Sequence, residues 1–224
     1  MSHIDIEVKR IKEKLLEMWD LVDYQFQSGQ QAMATVDHEL AKQVIKLGKK
    51  VNDYDVKIDR MSENVLALFT PVAIDLRLML ATLKINASLE RIGDDSEGIA
   101  YFVQKLSSPL DAQLFAETRT TEMYDEAKAM LTDCRKALLN DDTELAKQLI
   151  KRDKVLNKIY AKADGIIAKT LMEDPSKINE GLILFSIIKK IERVGDQITN
   201  IAEEIIFYRD AKVLRHKKKK KKKD

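Results

Sequence analysis

Apolar residues at Ile4, Val8, Ile11, Leu15, Met18 and Val22 recur at alternating steps of four and three, the beat that lines one face of an α-helix. The same beat runs through Leu40, Val44, Leu47, Val51, Tyr54, Ile58, Met61, Val65 and Leu68, and predicts a second helix ending near Phe69. Thr70 and Pro71 then read as the cap and first turn of a third helix, expected over residues 71–106 and stopped by Ser107-Ser108-Pro109. A fourth is expected over 111–139. Asn140-Asp141-Asp142 offers a turn and an N-cap for a fifth over 143–172, and a sixth follows Asp174-Pro175 over 178–214. Only 7 Gly and 3 Pro interrupt the chain, with 34% charged and 45% hydrophobic residues, a balance that suits long amphipathic helices and leaves little room for strands.

Comparing the two halves changes the reading from six helices to a duplication. Residues 39–47 read ELAKQVIKL and residues 144–152 read ELAKQLIKR, seven identities in nine positions at an offset of 105. LERIGD at 89–94 returns as IERVGD at 191–196 at an offset of 102, so three residues are missing between the two blocks, most naturally in the Pro-containing connection. The expected fold is all-α, two tandem, sequence-related three-helix bundles: residues 1–108, residues 109–214, and a basic segment, 215–224, expected to be disordered.

Charge narrows the classes of function. Setting aside the seven lysines of 217–223 and Asp224 turns a formal +2 into −4, so the folded body is slightly acidic and lacks a general nucleic-acid footprint. The lysine run reads first as a solvated segment; its functional alternative is attraction to anionic lipid or another polyanion. The single cysteine, Cys134, excludes an internal disulfide and reads as a small buried hydrophobe. No signal-like N-terminus is evident. The apolar run at 182–188 is much shorter than the ~20 residues of a membrane span. A cytoplasmic protein is expected, touching a membrane only peripherally if at all.

Each repeat carries two local penalties that suggest chemistry. Glu90 and Asp94 are four apart, as are Glu192 and Asp196, so each pair sets two carboxylates on one helix face, a repulsion of about 0.2 to 0.5 kcal/mol. Gly93 and Gly195 sit inside the same helices at about 1 kcal/mol relative to alanine. A divalent cation bridging the acids would remove the repulsion, with glycine allowing close approach. The plainer account is that Arg91 and Arg193 neutralise the acids on a solvated face and glycine serves helix packing. Asp153 and Asn157, four apart on the fifth helix, are placed to face the sixth; with Glu192, Asp196 and Asn200 they would form an oxygen-rich cluster suited to hard or borderline cations. The first-half counterparts are Gly48, Asn52, Glu90, Asp94 and Gly98. His3, His38 and His216 lie in no Glu-x-x-His pattern, against a ferritin-like di-iron enzyme. No Gly-rich phosphate loop or nucleophile elbow occurs.

ERIGD and ERVGD at repeat spacing, together with Asp75-Leu76-Arg77, resemble the PhoU family from the first helix to about Tyr208. The resemblance implies two three-helix bundles and divalent metal ions, among iron, zinc, manganese or magnesium, bound by paired acids. It also implies negative regulation of phosphate uptake and phosphate-starvation signalling without catalysis. The implied partners are a phosphate ABC-transporter ATPase, a phosphate-sensing histidine kinase and a second copy in a homodimer. Carried over residue by residue, the ligands are Asp153, Asn157, Glu192, Asp196 and Asn200 in the second half. In the first they are Asn52, Glu90 and Asp94, with Asp55 or Asp59 as helpers. The competing classes are a carboxylate-metal hydrolase and a membrane-surface or polyanion-binding helical protein.

Overall fold

The amphipathic stripes become seven α-helices and one 3-10 turn in a computed structural model that describes residues 3–214. In order they are α1 (His3–Thr35), α2 (His38–Phe69), α3 (Ala73–Val103), α4 (Ala112–Glu117), α5 (Thr120–Leu139), α6 (Thr143–Glu173), the 3-10 turn Pro175–Lys177, and α7 (Ile178–Asp210). Among the described residues there is no strand. The lysine run at 217–223, expected to be disordered, lies outside them.

The duplication extends to the turns. Asp37 caps α2 and Asp142 caps α6, each carboxylate accepting from the backbone N–H three residues on, at Leu40 and Leu145 respectively (2.9 Å in both). The preceding residue is left-handed in both turns, Val36 at φ 51° and Asp141 at φ 55°. In both, the capping aspartate's own N–H bonds back to the end of the previous helix, Asp37 to Ala32 O and Asp142 to Ala137 O. All of these pairs stand 105 residues apart.

Three expectations need correction. The expected fourth helix is broken into α4 and α5 at Arg119, which takes a left-handed conformation (φ 54°) while the Thr118 and Thr120 hydroxyls bond each other at 2.8 Å. Thr70 does not start α3: at φ 43° it is the C-cap of α2, and α3 begins two residues beyond Pro71 behind Val72, which offers no side-chain cap. The third helix ends at Val103 and the last at Asp210, each a few residues earlier than expected, because frayed ends carry the apolar beat without its hydrogen bonds.

Within each half three long helices pack together, α1, α2 and α3 in one and α5, α6 and α7 in the other, and the halves meet mainly along α3 and α7. Those two helices run antiparallel. Arg77 Nε donates to Tyr208 O at one end (3.1 Å), Lys84 pairs with Glu204 (3.1 Å), and the buried Asp95 carboxylate meets Lys190 Nζ and Arg193 Nε (3.2 Å each) near the middle. The two signature segments therefore lie side by side where α3 crosses α7. A second junction forms where Tyr124 of α5 stacks on Phe26 of α1 (centroids 4.3 Å apart) and donates to its carbonyl (2.9 Å). Met18, Trp19 and Phe26 are fully buried, and Phe69 and Phe185 pack against the core from partly buried positions. Burial of this stripe, not helix propensity, holds helices of such length in place.

Candidate metal centre

In the second half the fold brings together four of the five expected donors. Asp153 of α6 is buried and faces α7 at Gly195; a Cβ on that glycine would stand 2.9 Å from Asp153 Oδ1 and 2.6 Å from Leu156 Cδ2. The glycine is thus required by close approach of α6. Asn157, one turn on, donates from Nδ2 to Asp153 Oδ2 at 2.5 Å, which leaves Asp153 Oδ1 buried without a hydrogen-bond partner. Glu192 and Asp196 supply negative charge from α7. Asn200 lies one further turn along α7, where its amide approaches Gln197 Oε1 at a long 3.5 Å.

All three carboxyls are held above the ordinary range, chiefly by burial. Burial, reinforced by the Asp196 charge, pushes the Asp153 carboxyl up to about 6 against the opposing bond from Asn157. Burial also raises Glu192, helped by Asp196 and Asp153, and burial alone raises Asp196. Arg193 offsets Glu192 only in part, because its guanidinium reaches across to Asp95 of the other half. The neutralising role expected of that arginine is therefore shared between the two halves.

The first half is built differently. Glu90 is raised by burial and by Asp94 and Asp55, so these three acids are neighbours. Asn52 is exposed on α2, as its counterpart Asn157 is on α6. Asn86 Nδ2 donates to Asp55 Oδ1 (2.8 Å) and Asp59 Oδ1 (2.9 Å), committing part of the helper set. Burial and the Asp59 charge raise Asp55. The two glycines that stand where the second half has Asp153 and Asn200 are not empty gaps. The Glu97 carboxylate occupies the space beside Gly48, and the Lys190 ammonium that beside Gly98. Sequence reasoning missed Asn86, Asp95 and Glu97; the one available signal was the loss of side chains at Gly48 and Gly98, which makes room for something larger.

Among the described residues no three His, Cys, Asp or Glu side chains stand close enough to hold a metal ion as they are placed. The second-half donors nonetheless match the chemistry of a hard or borderline divalent cation. They are oxygens only, three of them are carboxylates raised by burial, two of these also by neighbouring acids, and one buried carboxylate oxygen has no partner. Cys134 is free and buried, and burial pushes its thiol up.

With this geometry in place, comparison with known proteins decides the family. The model of the PhoU domain matches twice, over residues 15–103 and 120–205. The chain belongs to the PhoU family. It is 33% identical over 222 residues to a phosphate-specific transport system accessory protein PhoU of Serratia marcescens, covering 96% of this chain and 88% of that protein. A PhoU homologue of the same description from a Burkholderia species is 30% identical over 216 residues, covering 96% and 92%. The crystal structure of PhoU from Pseudomonas aeruginosa superposes with a TM-score of 0.89 at 28% identity, covering 94% of this chain and 100% of that one. The phosphate transport system regulatory protein PhoU from Streptococcus pneumoniae gives a TM-score of 0.85 at 26% identity, covering 95% and 99%. The two PhoU matches fall on the two helical bundles, and the repeat seen in the sequence is a repeat of this domain.

Proposed function

We propose that the chain is a regulator that restrains phosphate uptake and phosphate-starvation signalling, acting without catalysis through its helical faces. The observation that supports this most is the pair of PhoU domains in this chain, together with its similarity over nearly its whole length to proteins described as accessory proteins of the phosphate-specific transport system. The partners in this reading are the transporter's ATPase and a phosphate-sensing histidine kinase, met in the cytoplasm by a homodimer. No helix among the described residues is long and apolar enough to cross a membrane, so contact with a transporter would come from its soluble face.

The reading also makes the contacts metal-dependent. Asp153, Asn157, Glu192 and Asp196 would hold a divalent cation between α6 and α7, with Asn200 available from the next turn. Such an ion supplies positive charge that turns the repulsion of crowded carboxylates into a cross-link. Asp153 fixes the position from α6, Asn157 orients its carboxylate, and Gly195 lets the helices close around it.

A clean deletion tests the function. Phosphate-starvation genes, read as alkaline phosphatase activity in phosphate-rich medium, are expected to stay on in the deletion strain and to fall again when the gene is returned. Normal repression in the deletion strain would remove this function.

A further inference from the structure

Glu192 and Arg193 are consecutive on α7 and serve different neighbours. Successive helix positions point about 100° apart, so one side chain can work toward α6 while the next reaches α3. Glu192 senses Asp153 of α6 as well as Asp196 on its own helix. Arg193 Nε stands 3.2 Å from Asp95 Oδ2 on α3. Asp95 is 1% exposed and the Arg193 side chain 52%, so a carboxylate locked inside the joint holds an arginine that is half in solvent. That oxygen has no hydrogen-bond partner even so; charge, and not a directed bond, keeps the guanidinium there. The other carboxylate oxygen, Oδ1, accepts from Lys190 Nζ at 3.2 Å, so Asp95 keeps a partner without Arg193.

Arg193 also acts on Glu192. Burial raises the Glu192 carboxyl, Asp196 and Asp153 add to the rise, and Arg193 opposes them. An arginine drawn fully onto Glu192 supplies positive charge where the cation of the metal reading would sit, and competes with it. Asp95 pulls it the other way. The first bundle lacks this arrangement. At the offset of 102 that relates α3 to α7, Arg193 corresponds to Arg91 and Asp95 to Gln197, which carries no charge. Arg91 is exposed and opposes the rise of Glu90, with an amide and not an acid at the matching place across the joint.

We propose that Asp95 tunes the second-half metal site from the other bundle, by holding Arg193 away from Glu192. Asp95 is in this sense a positioning residue, acting through the arginine. The inference rests on the reading of Glu192 and Asp196 as ligands and adds a route by which occupancy is felt beyond α6 and α7. Linkage makes the effect reciprocal: a cation on Glu192 drives Arg193 toward Asp95, so metal strengthens the joint between α3 and α7 by the same factor.

A double-mutant cycle tests it, read by calorimetric titration of the full chain with Mn²⁺ at constant ionic strength. The binding event to follow is the one that Asp196→Asn removes. Asp95→Asn is expected to weaken it about fivefold, because Arg193 is released onto Glu192, and Arg193→Met to tighten it about fivefold. Charge acting through space gives the same two signs, so the double variant decides. With Arg193→Met in place, Asp95→Asn should change the affinity by less than about twofold, whereas independent charges add. An equal effect of Asp95→Asn in both backgrounds overturns the proposal. So does an Arg193→Met variant that fails to tighten binding; this arm stands by itself, since Arg193 is half exposed and Asp95 retains Lys190. Absence of any Mn²⁺ binding that Asp196→Asn removes is a separate failure, which takes away the metal reading and this inference with it.

Discussion

Metal-free protein is expected to lose stability as pH rises from about 4 to about 6, and Asp153→Asn to abolish that part of the loss. Asp153 titrates at about 6 in the folded chain against an ordinary 3.8, so the native state holds its proton more tightly than the unfolded chain does. Between those values the folded state binds more protons, and stability falls with pH by about 3 kcal/mol in all before levelling off. Glu192 and Asp196 are raised as well and extend the effect. Exposed acids with lowered values, such as Glu39 and Asp174, work in the opposite direction, so the quantity to read is the difference between variant and wild type. Denaturant melts in chelator should show Asp153→Asn more stable than wild type above pH 6 by up to about 3 kcal/mol. A divalent cation in thousandfold excess over its dissociation constant should stabilise wild type by about 4 kcal/mol and leave the variant behind, with its affinity weakening below pH 6 as protons compete. A variant no more stable than wild type at pH 7 would show that the Asp153 carboxylate carries no strain.

The second large effect is expected where the halves meet. Asp95 is 1% exposed, and its partners Lys190 and Arg193 are the cations that offset its burial; even so, burial outweighs them and raises its carboxyl above the ordinary range. Replacing both, as Lys190→Met with Arg193→Met, leaves a buried charge unpaired and should cost about 3 to 5 kcal/mol at neutral pH. Adding Asp95→Asn should recover most of that loss, because the amide fills the same volume without a charge. Acidification should recover it too, as the carboxyl takes up its proton. Equal melting of the double and triple variants would mean that the ion pairs are incidental to the joint between the bundles.

The sequence showed those features that repeat and hid those that do not. ELAKQ and the paired ERxGD segments recur at fixed offsets, so the two bundles were legible from spacing, whereas the matching cap at Asp37 emerged only with the structure. Asp153 was legible as a residue facing α7, and it stands against Gly195 there, because the face of a helix can be read without knowledge of the partner helix. The break at Arg119 was hidden, since one left-handed residue between two threonines leaves the apolar beat nearly intact. Asp95, Glu97 and Asn86 were hidden for another reason. Each makes its defining contact with a residue on a different helix, and no periodicity along one helix reports what crosses it. The first-half site looked merely impoverished at Gly48 and Gly98, whereas the structure fills those places with Glu97 and Lys190.

That difference between the halves bears on the central claim, that the second-half acids are the principal metal site of this regulator. Asp153 Oδ1 is buried and free of partners, while the first-half helpers Asp55 and Asp59 already accept from Asn86. Affinity for a hard cation rises with the number and charge of available oxygens, so the second site should fill first. The direct measurement is elemental analysis of wild type, Asp196→Asn and Asp94→Asn after dialysis against trace divalent ions. Asp196→Asn is expected to lower bound metal more than Asp94→Asn does. Metal content unchanged by either substitution, or lowered more by Asp94→Asn, would contradict the account and leave the acids as a packing and ion-pair feature.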